Sequence, residues 1–164
     1  MGEVVELDRL LTLAGDLRRT GRQISFANGH FDLLHVGHLR YLQDARVQGD
    51  VLVVGINSDA SVERLKGPGR PIVPAAERAE LLAALDPVDY VVIFEGDSPA
   101  ELLAALKPEV HCKGPDYGSP EQVPEYEVVR SYGGSTRLVG DPKDHNTTDI
   151  IAAVRSLPLA PGPS

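Results

Sequence analysis

The sequence predicts an α/β protein whose core is a doubly wound, five-stranded parallel sheet. Three observations carry that reading. Strand-like and helix-like segments alternate along the chain, the order of β-α-β units joined by right-handed crossovers. The run Val51-Leu52-Val53-Val54-Gly55-Ile56 is apolar without alternation, as a strand covered on both faces requires. Aliphatic side chains dominate the apolar set and Trp is absent, which suits helices packed on a sheet better than an aromatic-cored sandwich.

The elements follow in chain order. Leu7, Leu10, Leu11, Ala14 and Leu17 recur at helical spacing, so an amphipathic helix over about residues 7–19 precedes the first strand and packs outside the core. Gln23–Ala27 reads as the first strand, and from Val36 the apolar period turns helical through Leu39, Leu42 and Ala45. Gly49-Asp50 closes that helix, Val51–Ile56 is the second strand, and Ser58-Asp59 caps a short helix. Ala75–Leu85 is rich in helix formers and Asp89–Phe94 is the third strand. Ser98-Pro99 supplies a cap and a first-turn Pro for a helix through Leu106, and Glu109–Lys113 is the fourth strand. After the Gly- and Pro-rich stretch Gly114–Pro124, Val123–Ser131 reads as a short helix. Thr136–Val139 is then the fifth strand and Thr147–Leu157 the closing helix. Residues 1–157 are expected to form one domain, with Pro158–Ser164 as a disordered tail.

A chain of 164 residues can bury roughly two-thirds of its unfolded surface without disulfides or metals. Its net charge of -8 argues against a general nucleic-acid binder, whose affinity rests on broad arrays of Lys and Arg. An anionic ligand must therefore meet a local cluster of cations. Cys112 is the only cysteine, so it reads as a small buried hydrophobe, and a reducing cytoplasm is the expected compartment. The acidic N-terminus has no apolar leader, no apolar run approaches membrane-spanning length, and Leu7 stands where a myristoylation signal wants Ser or Thr. No membrane partner is expected.

In an open parallel sheet, ligands bind beyond the C-terminal strand ends where the strand order reverses. The first strand delivers Asn28-Gly29-His30-Phe31-Asp32-Leu33-Leu34-His35-Val36-Gly37-His38 to that crevice. This segment combines free N–H groups at a helix start with imidazoles, and Gly37 would let a phosphate approach the backbone. Asn28-Gly29 alone could be a hairpin turn, but a helical period follows it. Taken from the residues alone, a phosphate site, a metal site at Asp32, His35 and His38, and structural histidines all stay open. Gly67-Pro68-Gly69 is no P-loop, since no Gly-Lys-Ser or Gly-Lys-Thr follows; it reads as a flexible lid carrying Lys66 and Arg70 toward a ligand. Glu95-Gly96-Asp97 reads as a solvated loop, and Glu77 and Asp89 make no chemical claim.

The run resembles the G-x-F-D-x-x-H-x-G-H signature of the H-x-G-H nucleotidyltransferase superfamily, with its Rossmann-like fold. Reading onward, Asn57-Ser58-Asp59-Ala60-Ser61, Arg64-Leu65-Lys66-Gly67, Arg70-Pro71, Glu77-Arg78, Lys113-Gly114, Asp116-Tyr117 and Thr147-Thr148 are similar to the heptose 1-phosphate adenylyltransferase branch. That resemblance implies that His35 and His38, with Lys66, form the catalytic set. It implies that Asn28, Gly29, His30, Phe31, Asp32, Gly37, Arg78, Lys113, Asp116, Asn146, Thr147 and Thr148 line the nucleotide site. Lys66 and Arg70 would reach the acceptor phosphate. Position 30 usually carries Cys or Thr, and the Arg that cytidylyltransferases place before the final Thr-Thr is missing from Asp141–Thr148, where Lys143 or His145 would have to substitute.

The implied reaction transfers AMP from ATP to a sugar 1-phosphate, D-glycero-β-D-manno-heptose 1-phosphate, releasing pyrophosphate and forming an ADP-sugar. A cytidylyltransferase using CTP and glycerol 3-phosphate or another polyol phosphate is the alternative, and a nucleotide-binding regulatory module without turnover is a further one. Mg²⁺ would bind mainly through nucleotide phosphates, with no protein metal ligands. A homodimer is expected from the resemblance.

Overall fold

The computed structural model describes residues 1–142 and 144–163. Its elements run β1 (Glu3–Val4), α1 (Leu7–Arg19), β2 (Ile24–Gly29), α2 (Val36–Arg46), β3 (Val51–Asn57), α3 (Asp59–Lys66), α4 (Ala75–Ala83), β4 (Tyr90–Phe94), α5 (Ala100–Leu106), β5 (Val110–Lys113), α6 (Tyr126–Ser131), β6 (Ser135–Leu138) and α7 (Thr147–Arg155). The strands form one parallel sheet in the order β1-β4-β3-β2-β5-β6. The sheet has six strands, not the expected five. The added strand, β1, is two exposed residues paired with Tyr90 and Val91, too short to show a period.

Strand order reverses between β2 and β5, so the crevice opens above their C-terminal ends. β2 and β3 are in register from Ile24–Val51 to Gly29–Ile56, and every residue of β3 is buried. Successive side chains serve opposite faces of the sheet. Ala27, Leu52 and Val54 pack with Leu42 and Ala45 of α2 and Ala79 and Leu82 of α4. Ile24, Phe26 and Val53 pack with Leu10 and Ala14 of α1 and Leu102, Leu103 and Leu106 of α5. The leading helix thus covers one sheet face instead of lying outside the core.

Several helices are shorter than their periodicity suggests, and α7, expected through Leu157, ends at Arg155. Of the segment expected as one helix over 123–131, only α6 is helical, because Pro124 cannot continue an α-helical ladder, and a 3-10 turn at Pro120–Gln122 precedes it. α4 stops at Ala83, before Asp86-Pro87. Residues 158–163 are exposed and belong to no helix or strand, and Ser164 lies outside the described residues.

Carboxylates cluster at the far end of the sheet. Asp50 accepts the Gln23 N–H at 2.8 Å, Glu109 that of Ile24 at 2.7 Å, and Asp89 that of Leu52 at 2.8 Å. Each satisfies a donor at or near the start of a strand. Asp89, without evident chemistry in the sequence, has this structural use. Glu95-Gly96-Asp97 is exposed, with Asp97 paired to Arg64 at 2.7 Å.

Candidate active site

The C-terminal ends of β2 and β5, the α2 start, the loop after α3 and the α7 start enclose a cavity of about 530 Å³. That size suits a nucleotide-sized ligand. Every residue expected at the site lines it except Arg78: Asn28, Gly29, His30, Phe31, Asp32, His35, Gly37, His38, Lys66, Arg70, Lys113, Asp116, Asn146, Thr147 and Thr148.

The chain leaves β2 through Phe31, whose φ of 49° lies in the left-handed region, and its ring turns into the core. The α2 N-cap is His35. The rings of His35 and His38 stack at 3.8 Å between centroids, tilted by 22°, with Phe31 5.1 Å from His38. The His35 N–H points at His38 Nδ1 at 3.4 Å, an arrangement that puts the His38 ring proton on Nε2. Gly37 makes the stack possible: a Cβ there would stand 2.9 Å from His35 Nδ1. Its small size therefore serves the imidazole pair directly.

The basic loop is tied down by Asp32. This carboxylate accepts the Val73 N–H and the Ile72 N–H at 2.9 Å, and pairs with Arg70 Nε at 2.9 Å. Burial works to raise the Asp32 pKa, but the Ile72 and Val73 N–H groups and Arg70 outweigh it and hold the carboxyl below its ordinary value. Asp32 remains ionised and keeps Arg70 at the cavity wall.

Arg78 was expected to reach a phosphate; the structure corrects this. Its side chain is fully buried, and Nε donates to Val73 O at 2.8 Å. Nη1 donates to His30 O at 2.6 Å and Asn57 O at 3.0 Å, and Nη2 pairs with Asp59 at 2.9 Å. All three nitrogens are committed to joining the ends of β2 and β3 to the loop, so Arg78 shapes the site from beneath. Its charge still acts there. Burial first, then Lys66, Arg78 and Arg70, lower the His30 pKa to about 4, leaving a neutral ring among cations.

On the far wall, Asn146 caps α7 by accepting the Asp149 N–H at 2.7 Å, so Thr147 and Thr148 begin a helix beside the cavity. His145 lines the cavity, Asp141 pairs with Arg40 at 2.8 Å, and Lys143 lies outside the described residues. Two helix N-termini, α2 and α7, thus converge on one space with Lys66, Arg70 and Lys113.

Sequence reasoning missed Tyr41 and His111. Tyr41 is one ridge along α2 from His38, and its hydroxyl donates to Cys112 O at 2.7 Å, locking α2 to β5. Burial pushes the Cys112 thiol up to about 12, so it is an inert hydrophobe. His111 is fully buried, with Nε2 2.9 Å from Asn28 Oδ1. Only its place between Val110 and Cys112 in a short strand signalled it.

A cytidylyltransferase-like family model matches residues 26–153, which span β2 to α7. The chain belongs to that family. Membership agrees with the resemblance carried by the His35 and His38 segment. Among family relatives, the bifunctional protein HldE of Geotalea uraniireducens (strain Rf4) is 52% identical over 154 residues, covering 94% of this chain and 31% of that protein. HldE of Pelobacter propionicus is 55% identical over 147 residues, covering 90% and 30%. The chain therefore spans under a third of the length of these relatives. Among solved structures, the lipopolysaccharide core biosynthesis protein of Thermoplasma volcanium GSS1 matches with a TM-score of 0.62 at 25% identity, over 74% of this chain and 100% of that one. A pantoate-beta-alanine ligase from Francisella tularensis shares the fold with a TM-score of 0.57 at 14% identity. No helix among the described residues is long and apolar enough to cross a membrane.

Proposed function

We propose that this chain transfers AMP from ATP to a sugar 1-phosphate, D-glycero-β-D-manno-heptose 1-phosphate, releasing pyrophosphate and forming an ADP-sugar. The observation that carries this reading is the stacked His35 and His38 pair at a helix start, facing Lys66, Arg70 and Lys113 across one cavity. The sugar acceptor rests on the sequence resemblance and on likeness to relatives named HldE.

In this reading an acceptor phosphate oxygen attacks the α-phosphorus. The new P–O bond forms as the bond to the β-phosphate bridging oxygen breaks, and that oxygen's electron pair leaves with pyrophosphate. A phosphate monoester is already nucleophilic, so the chain's work is alignment and charge stabilisation. His38 donates from Nε2 to the α-phosphate, His35 and the α2 N–H groups steady the triphosphate, and Lys66 and Arg70 hold the acceptor phosphate. Among the described residues no group of three or more His, Cys, Asp or Glu side chains could cage a metal. Asp32 is already committed to Arg70 and two N–H groups. Mg²⁺ would enter on the nucleotide and neutralise its phosphates.

The test pairs ATP and CTP with heptose 1-phosphate and glycerol 3-phosphate and follows product mass and pyrophosphate. ADP-heptose is the expected product. CDP-glycerol would move the assignment to the cytidylyltransferase alternative, and nucleotide binding without pyrophosphate release would make the chain a regulatory module.

A further inference from the structure

We propose that His111 is a positioning residue: it donates from Nε2 to Asn28 Oδ1 and so turns the Asn28 amide NH₂ toward an oxygen of the ligand in the cavity. The proposal deepens the reading of that cavity as a site for phosphorylated substrates and rests on it. His111 stands in β5 and Asn28 near the end of β2, adjacent strands at the point where the sheet order reverses. Asn28 lines the cavity, whereas His111 lies wholly beneath it. A 2.9 Å contact between His111 Nε2 and Asn28 Oδ1 links them.

The surroundings choose the direction of this bond. His111 Nδ1 is buried and has no hydrogen-bond partner among the described residues. If the proton sat on Nδ1, the protein would bury an orphan N–H, a rare arrangement, and Asn28 would have to turn its NH₂ inward to meet Nε2. With the proton on Nε2, Nδ1 presents only a lone pair and the donor finds Oδ1. Protonating both nitrogens is opposed by burial and then by Lys113, which bring the ring pKa down to about 3. A neutral ring with one donor can hold Asn28 in one orientation only. Asn28 Nδ2 is then the polar atom the amide offers to the cavity, a donor matched to a phosphate or hydroxyl oxygen and mismatched to a ligand donor.

Phe26 stands 5.8 Å from the imidazole, so the ring is also fixed by packing. Leucine at 111 would keep the packing and lose the donor. Glutamine would place an amide N–H near the position of Nε2 and keep it.

The experiment uses the full chain. Long-range ¹H–¹⁵N correlation spectra of histidine-labelled wild type should show His111 as the Nε2–H tautomer, without titration from pH 7.5 to 5. An Nδ1–H tautomer, or titration near pH 6.5, overturns the proposal without reference to activity. In parallel, ATP affinity and the acceptor KM are measured for H111L, H111Q, N28A and H111L/N28A, with urea midpoints used to count folded protein. H111L should weaken one of these ligands by about five- to tenfold, the factor of one hydrogen bond, while kcat moves less. H111Q should recover to within about twofold, and H111L should add nothing in the N28A background. Which ligand weakens shows whether Asn28 meets the nucleotide or the acceptor. Equal defects in H111L and H111Q, no defect in H111L, or additivity with N28A would each reduce His111 to packing. If wild type binds ATP but transfers nothing, the enzymatic reading fails while the tautomer and ATP arms still decide the role of His111.

Discussion

Acidification from pH 7 to pH 5 should destabilise the protein through His111, and the structure sets the sign and size. Folding lowers this ring's pKa from 6.5 to about 3, by burial first and Lys113 second. Between those values the unfolded chain binds a proton that the folded chain refuses. Stability conferred by the neutral ring is therefore fully present above pH 6.5 and declines as the pH falls through the window below it. Down to pH 5 the decline covers one and a half pH units at about 1.4 kcal/mol each, or about 2 kcal/mol. His30 acts in the same direction, because its pKa is lowered to about 4, but its only partly buried ring contributes a discounted share. Asp32 has a depressed pKa and gives stability lost only as the pH falls below the ordinary carboxylate range, outside this window.

The assay is urea unfolding of wild type and H111L at pH 7 and pH 5. Leucine cannot titrate, so H111L should lose about 2 kcal/mol less than wild type over this interval, a difference of about 1 M in the midpoint shift for a urea slope near 2 kcal/mol/M. His30, His35, His38 and His145 are present in both chains and cancel. The hydrogen bond to Asn28 lost in H111L offsets both of its measurements equally. Parallel pH dependences in the two chains would refute the account of His111 as a ring held neutral by burial.

Other expected outcomes concern the cavity itself. Arg78→Met should cost about 3–5 kcal/mol in urea unfolding, because it strands the carbonyls of His30, Asn57 and Val73 and leaves Asp59 only the Ala75 N–H among these partners. A loss below about 1 kcal/mol would show that the guanidinium does not join these segments. Lys66→Ala should raise the KM for a phosphorylated ligand by about tenfold with little effect on the urea midpoint, since Lys66 is exposed at the cavity rim. Unchanged KM values for both substrates would assign the loop to structure. His38→Ala should reduce turnover by about 10²–10³-fold in folded protein. Near-normal pyrophosphate release would remove the ring from the reaction.

Periodicity and spacing made the strand and helix order legible because buried parallel strands are apolar runs and their helices carry a stripe. The pair β1–β4 was illegible: Glu3 and Val4 are both exposed, so no burial pattern marks them. The imidazole pair could be read because its residues are contiguous in chain and space. Arg78 could not be placed correctly, because an arginine on a helix beside a phosphate site looks the same in sequence whether it points out or in. Its inward turn depends on three carbonyls, His30 just after β2, Asn57 of β3 and Val73 of the loop, groups to which every residue type contributes alike. His111 was hidden for a related reason: its partner Asn28 lies 83 positions away, and only the β2–β5 pairing brings them together.

A chain of net charge -8 can hold a polyanion because its parallel sheet has two unlike ends. Where strands begin, backbone donors need acceptors, and Asp50, Asp89 and Glu109 supply them far from the cavity. Where strands end, helices begin, and the same backbone polarity presents the donors of α2 and α7 to one space. Two of the carboxylates that line this end are partly neutralised, Asp32 by Arg70 and Asp141 by Arg40. A net negative charge therefore leaves room for a small anionic ligand at this end of the sheet. Swapping Asp32 to Asn would test this division at its tightest point, because Arg70 would lose its anchor and gain freedom at once. If Arg70 acts only as a local positive charge, acceptor binding should survive in D32N; if its fixed position matters, the acceptor KM should rise although the site has become more positive.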